Sequence, residues 1–327
     1  MRARIIWALS LAVLFAGGRA VIAQHPGAGS QDPAYTNASR PDVQGIWNGS
    51  TRTPLQRPQQ FIDRPAFTPE EAAEYLRATP DRVRSRLPTA DDRVVQIDLD
   101  ETFSEVERMP LDGLRTSLIV DPANGMLPPL LPVAQARKAS RPKRSIEDPE
   151  TFGLAERCLL GNFGASAGSL ASPPMVPSEI IPSLYRIVQN DTHVLIFTEW
   201  VHDARIVRLN GTHLPPAIRS WLGDSIGRYE GKTLVVDTTN FRRDTHNLDS
   251  GERLHVVERF TRIDEKTLRY RVTVEDPETW AAPWTAEWPF TATDVALFPV
   301  ECHEGNYALE NMLKGGRAEE RRGQTTP

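Results

Sequence analysis

The chain has 327 residues, 38 Lys and Arg against 43 Asp and Glu, and a formal net charge of −5. That acidic balance argues against nucleic acid or an anionic membrane surface as partner, and 27 prolines beside 21 glycines argue against a helical bundle. The length allows one large or two modest domains, and 39 % hydrophobic residues supply enough apolar material for a core.

Met1-Arg2-Ala3-Arg4, an apolar run from Ile5 to Ala16 and small residues up to Ala23 form the pattern of a secretory signal, with cleavage expected after Ala23. No later run approaches the ~20 apolar residues of a membrane span. The two cysteines, Cys158 and Cys302, leave no lipid-attachment cysteine at the cleavage site, so a soluble periplasmic or secreted protein without a membrane anchor is expected. In an oxidising compartment the pair reads as one disulfide, Cys158–Cys302; two buried free thiols are the alternative.

Residues 24–42 are small and polar and read as a disordered leader. Residues 43–182 form a Pro-rich wrapping region. Within it, Val43–Trp47 is a short β-type run, and Thr68-Pro69-Glu70-Glu71 starts a helix that runs through Arg77 and stops before Pro80. Thr116–Val120 reads as a strand followed by a turn, and the basic segment through Lys138, Arg141 and Arg144 reads as an irregular loop or a domain connection. Gly161 to Pro182 lacks the strand-to-helix context of a phosphate cradle.

Residues 183–320 are expected to form an antiparallel β-barrel domain with a terminal helix. The runs Tyr185–Gln189, His193–Val201, Arg205–Leu209, Thr233–Phe241, His255–Arg262, Thr267–Val274 and Trp284–Phe290 are β-branched and aromatic. Asn190-Asp191, Asn210-Gly211, Glu230-Gly231 and Asp264-Glu265 separate several of them. The fold class is therefore mainly β: an up-and-down, lipocalin-like barrel with a few short helices. Ala217–Leu222 reads as one such helix, and Glu304–Leu313 as the last, stopped by Gly315-Gly316.

Strand parity selects the chemistry. Val194, Ile196, Thr198, Trp200 and His202 share one face, and Glu258 shares an apolar face with Val256 and Phe260. A buried acid must be paired, protonated or functional. Glu301-Cys302-His303-Glu304 adds polar groups on a support tethered by the disulfide. His202, Glu258 and His303 are thus the candidate catalytic residues, oriented by Arg205 or Asp203, with no cofactor or with one divalent metal. Arg205, Trp200, Trp284, Trp288 and Tyr307 are the candidate ligand-binding residues. An ion pair, a turn and a helix cap explain the same residues structurally. Trp280, Trp284, Trp288 and Phe290 suit core packing as well as an aromatic subsite. Gly223-Asp224-Ser225-Ile226-Gly227 matches the GxSxG nucleophile elbow in letters, but a short helix before it and a turn with a β-strand after it are the wrong context.

Leu114–Pro122, Phe197–Arg205, Gly231–Phe241 and Cys302–Tyr307 resemble a large family of uncharacterised exported bacterial proteins, over about Gly45 to Glu319. The resemblance implies export and no settled activity. Ile97–Pro110 departs from it, being acidic where those proteins carry an aromatic-rich segment. Two functions are compatible with these residues: a small-molecule-processing enzyme using His/Glu acid–base chemistry for elimination, isomerisation or hydrolysis, and a carrier of an apolar small ligand.

Overall fold

The computed structural model describes residues 40–79, 110–141, 148–160, 172–177, 183–244, 247–298 and 302–324. The expected signal, residues 24–39 of the leader, Ile97 to Met109 of the acidic stretch, and Glu301 lie outside the described residues.

The described residues form ten strands: β1 (Gly45–Asn48), β2 (Ile119–Asp121), β3 (Leu184–Gln189), β4 (His193–Thr198), β5 (Ala204–Leu209), β6 (Asp224–Glu230), β7 (Thr233–Thr239), β8 (His255–Arg262), β9 (Thr267–Glu275) and β10 (Trp284–Ala292). The α-helices among the described residues are α1 (Pro69–Arg77), α2 (Pro132–Ala139) and α3 (Tyr307–Gln324). β3 to β10 pair in chain order, and β1 closes the ring by pairing with both β3 and β10, through Trp47↔Tyr185 and Trp47↔Ala292. The result is a closed nine-stranded β-barrel, to which β2 is added alongside β10. The N-terminal region therefore supplies a stave of the barrel, and closure removes the free edges that an open sheet would expose.

Alternation fills the interior. Val256, Glu258 and Phe260 of β8, Leu268, Tyr270, Val272 and Val274 of β9, and Trp284, Ala286, Trp288 and Phe290 of β10 all have zero solvent exposure. Burying each large apolar side chain is worth about 1.5–3 kcal/mol, so this wall dominates the core's stability. Phe290 stacks on Tyr185 and Tyr270 with ring centroids 5.1 Å apart in each case, and Trp288 meets Tyr270 edge-on at 4.7 Å.

Several local expectations hold. Thr68 caps α1 through a capping box with Glu71, Pro69 opens the helix, and Ala78 ends it. Cys158 and Cys302 are bonded, with Cα atoms 5.5 Å apart and 144 residues between them in sequence.

Others are corrected. α3 runs through Gly315 and Gly316 to Gln324, because neither glycine takes a left-handed conformation and the Glu310–Lys314 and Arg317–Glu320 pairs support the turns around them. The expected basic loop contains α2, opened by Pro132; its Lys138 and the following Arg141 each hold Asp249 at 2.8 Å. Ala217–Leu222 is turn rather than helix, with Ser220 bridging Phe241. Gly223 leads directly into β6, which pairs parallel to β5 through Val207↔Ser225 and makes one parallel seam in an otherwise antiparallel barrel. Gly223 lets the chain enter β6: its φ is +71°, and a Cβ there would lie 2.7 Å from the Thr239 carbonyl oxygen.

Candidate functional site

Of the residues singled out by parity, the barrel brings Arg205, Glu258 and Trp288 into one interior cluster. Glu258 accepts a two-pronged bond from Arg205, whose Nη2 lies 2.9 Å from Oε1, and the Tyr270 hydroxyl donates to the same Oε1 at 2.9 Å. Glu258 raises the Arg205 guanidinium above its ordinary range although burial acts to lower it. Burial pushes the Tyr270 phenol well above its ordinary range, with the Glu258 charge acting in the same direction. The pair is balanced, bonded and sealed from solvent.

His202 and His303 do not join this cluster. β4 ends at Thr198, and the chain turns through Val201 and His202 with φ of 59° and 41°, which leaves His202 exposed. Inward parity held only as far as the strand did. His303 is exposed on the disulfide-tethered turn before α3, Tyr307 is exposed at the start of that helix, and Trp200 is half-buried at the end of the β4 turn. Trp284 is in the core against Trp280, with ring centroids 5.9 Å apart. Ser225 is buried in β6 and shares a hydrogen bond with Thr238, which excludes a nucleophile elbow.

The outer face of β6–β9 carries a constellation that parity arguments aimed at the interior overlooked. Registers Asp224↔Thr239, Asp237↔Val257 and His255↔Glu275 place Asp224, Asp237, His255 and Glu275 in a row across four neighbouring strands. Diagonal neighbours on one face are close enough for long side chains to meet. His213, from the β5–β6 connection, completes the row. Its Nδ1 lies 3.0 Å from Asp224 Oδ2, and its Nε2 lies 3.0 Å from Asp237 Oδ1. His255 Nε2 lies 3.0 Å from the same Asp237 oxygen, and its Nδ1 is 3.9 Å from Glu275 Oε2. Arg208 anchors the far end through Asp224, at 2.8 Å. The only signal in the sequence was the parity of His255 opposite to that of Glu258, seen together with Asp237 on the adjacent strand.

The row is electrostatically coupled. Burial acts to raise the Asp237 carboxyl, but hydrogen bonds from His255 and His213 outweigh it and hold the group below its ordinary range. Asp224 behaves alike: burial opposes, and bonds from Arg208, the Leu214 N–H and His213 prevail. The bond to Asp237 raises His255 above its ordinary value against the effect of burial.

His255 also lines a cleft of about 360 Å³, with Arg219, Asn240, Glu252, Arg253 and Glu275 among its walls. Arg219 is fixed by donating to the Phe241 and Glu252 carbonyls at 2.9 and 2.8 Å. A half-buried imidazole, oriented by a carboxylate and open to a polar cleft, can take or give a proton. A larger hollow of about 510 Å³ lies against α1, but its titratable groups are Tyr75 and three glutamates, of which Glu71 is committed to the helix cap and Arg64. Among the described residues no group of three or more His, Cys, Asp or Glu side chains is arranged to hold a metal ion.

No protein-family model matches the chain, and no curated protein or solved structure resembles it at a significant level.

Proposed function

We propose that the protein is an exported enzyme performing acid–base chemistry on a small polar molecule bound in the cleft beside His255. The observation that carries this reading is the Asp237–His255 pair: one ring nitrogen held at 3.0 Å by a carboxylate, on a ring that lines the cleft. Asp237 fixes the ring's orientation and favours its protonated form, as the orienting acid of a catalytic dyad does. Arg219 and Arg253 supply positive charge for a substrate carbonyl or developing oxyanion, and Glu275 stands behind the second nitrogen. Elimination, isomerisation and hydrolysis all need this set: one base, one acid and one charge clamp. His202 and His303, which are exposed and apart from Glu258, lose their place in this scheme to His255 and Asp237.

The test is turnover of esters, lactones and compounds with an acidic proton beside a carbonyl by the mature protein and its variants. His255→Ala is expected to lower kcat/KM about 10²–10⁴-fold, the usual contribution of a positioned acid–base group, with the circular dichroism spectrum unchanged. Activity that survives His255→Ala and disappears in His303→Ala or His202→Ala would return the site to those histidines.

A further inference from the structure

The barrel interior contains a feature that acid–base chemistry at His255 does not use. Ser172–Val176 is folded inward and buried, and Met175 is seated on the charged pair: its backbone N–H donates to the Tyr270 hydroxyl at 3.2 Å, and its Sδ receives the Arg205 Nη2 at 3.6 Å. A thioether is a poor acceptor for a guanidinium. Among the described residues, Arg205 Nε and Trp288 Nε1 of the same cluster have no hydrogen-bond partner, on side chains that are 3 % and 0 % exposed. Leaving a buried donor unsatisfied is costly, and native proteins do so rarely.

We propose that the Met175 side chain occupies a binding site for a neutral, mostly apolar molecule carrying one carbonyl oxygen. Neutrality follows from the pair: Glu258 already balances Arg205, so a charged ligand would be buried without compensation. The carbonyl follows from the unpartnered donors, and the apolar body from the walls, Phe260, Tyr270, Trp288 and Phe290. The ligand oxygen accepts from the unpartnered Arg205 Nε–H, and Met175 and Val176 give way to admit its apolar body. This site is independent of the His255 cleft.

The probes are cyclopentanone and methylenecyclopentane, which share a shape and differ in the oxygen. In the ¹⁵N NMR spectrum of the wild-type protein, cyclopentanone is expected to shift the Arg205 Nε–H resonance, and methylenecyclopentane to leave it in place. Met175→Ala is expected to bind cyclopentanone about tenfold more tightly than wild type, and about tenfold more tightly than it binds the hydrocarbon, the worth of one hydrogen bond to a charged donor. Equal affinity of Met175→Ala for both probes would reduce the site to a plain apolar cavity, and no response of the wild-type resonance up to the solubility limit of the ketone would overturn the proposal. If Met175→Ala does not fold, the wild-type spectrum decides alone.

Discussion

Hydrogen bonding to Asp237 holds the His255 imidazole above its ordinary titration range, so protons bind this residue more tightly in the folded chain than in the unfolded one. Its contribution to stability is therefore complete below the unfolded value of about 6.5 and is lost as pH rises through the higher folded value. Asp237 works with the opposite sign: its lowered folded value stabilises the protein above about pH 4, and the gain disappears as pH falls through that folded value. Thermal melts should show His255→Gln well below wild type at pH 5.5, with the gap narrowing as pH rises through the higher folded value of His255. A constant gap across this range would mean that His255 acts by packing alone. The interior pair makes a different prediction. Glu258→Gln leaves the Arg205 charge buried with a neutral partner and should cost about 3–5 kcal/mol in urea unfolding. Arg205→Met with Glu258→Leu should cost much less than the sum of the single changes, since no charge is then stranded.

At the scale of elements, α3 shows how a local rule is overridden. Gly315-Gly316 in sequence reads as a stop signal, yet the helix continues to Gln324 with Gly315 exposed and nothing within 4 Å of where its Cβ would lie. Gly315→Ala should therefore stabilise the helix by about 0.5–1 kcal/mol, read as a several-fold rise in amide-exchange protection across α3. Destabilisation instead would mean that the turn at Gly315 is not helical in solution. Strands were legible wherever β-branched residues alternated, as in β7, β8 and β9. β6 was not legible, because Asp224-Ser225-Ile226-Gly227 carries little β-propensity and is held by its neighbours β5 and β7. The same limit hid the site. Glu258 stood out because an acid on an apolar face is conspicuous, whereas His255 and Asp237 lie on polar faces of separate strands, and His213 comes from a connection whose path only the parallel β5–β6 seam defines.

For the whole molecule, ring closure by β1 and the Cys158–Cys302 bond tie distant parts of the chain together, and they act on different states. β1 stabilises the folded barrel through its ladders to β3 and β10. The disulfide acts chiefly on the unfolded chain: it closes a loop of 144 residues, worth about 5 kcal/mol by loop entropy. It fastens the turn that carries His303 and leads into α3 to the segment around Cys158, and neither lies in a barrel strand. The pair could be read from there being just two cysteines in the sequence, since no other partner existed for either. Cys158→Ser with Cys302→Ser should thus lower the urea midpoint substantially while leaving the acid–base row intact. The His255 ring resonances and their titration in NMR should match wild type at low temperature, where the double variant is still folded. A displaced His255 titration in that variant would show that the bond shapes the cleft as well as limiting the unfolded chain.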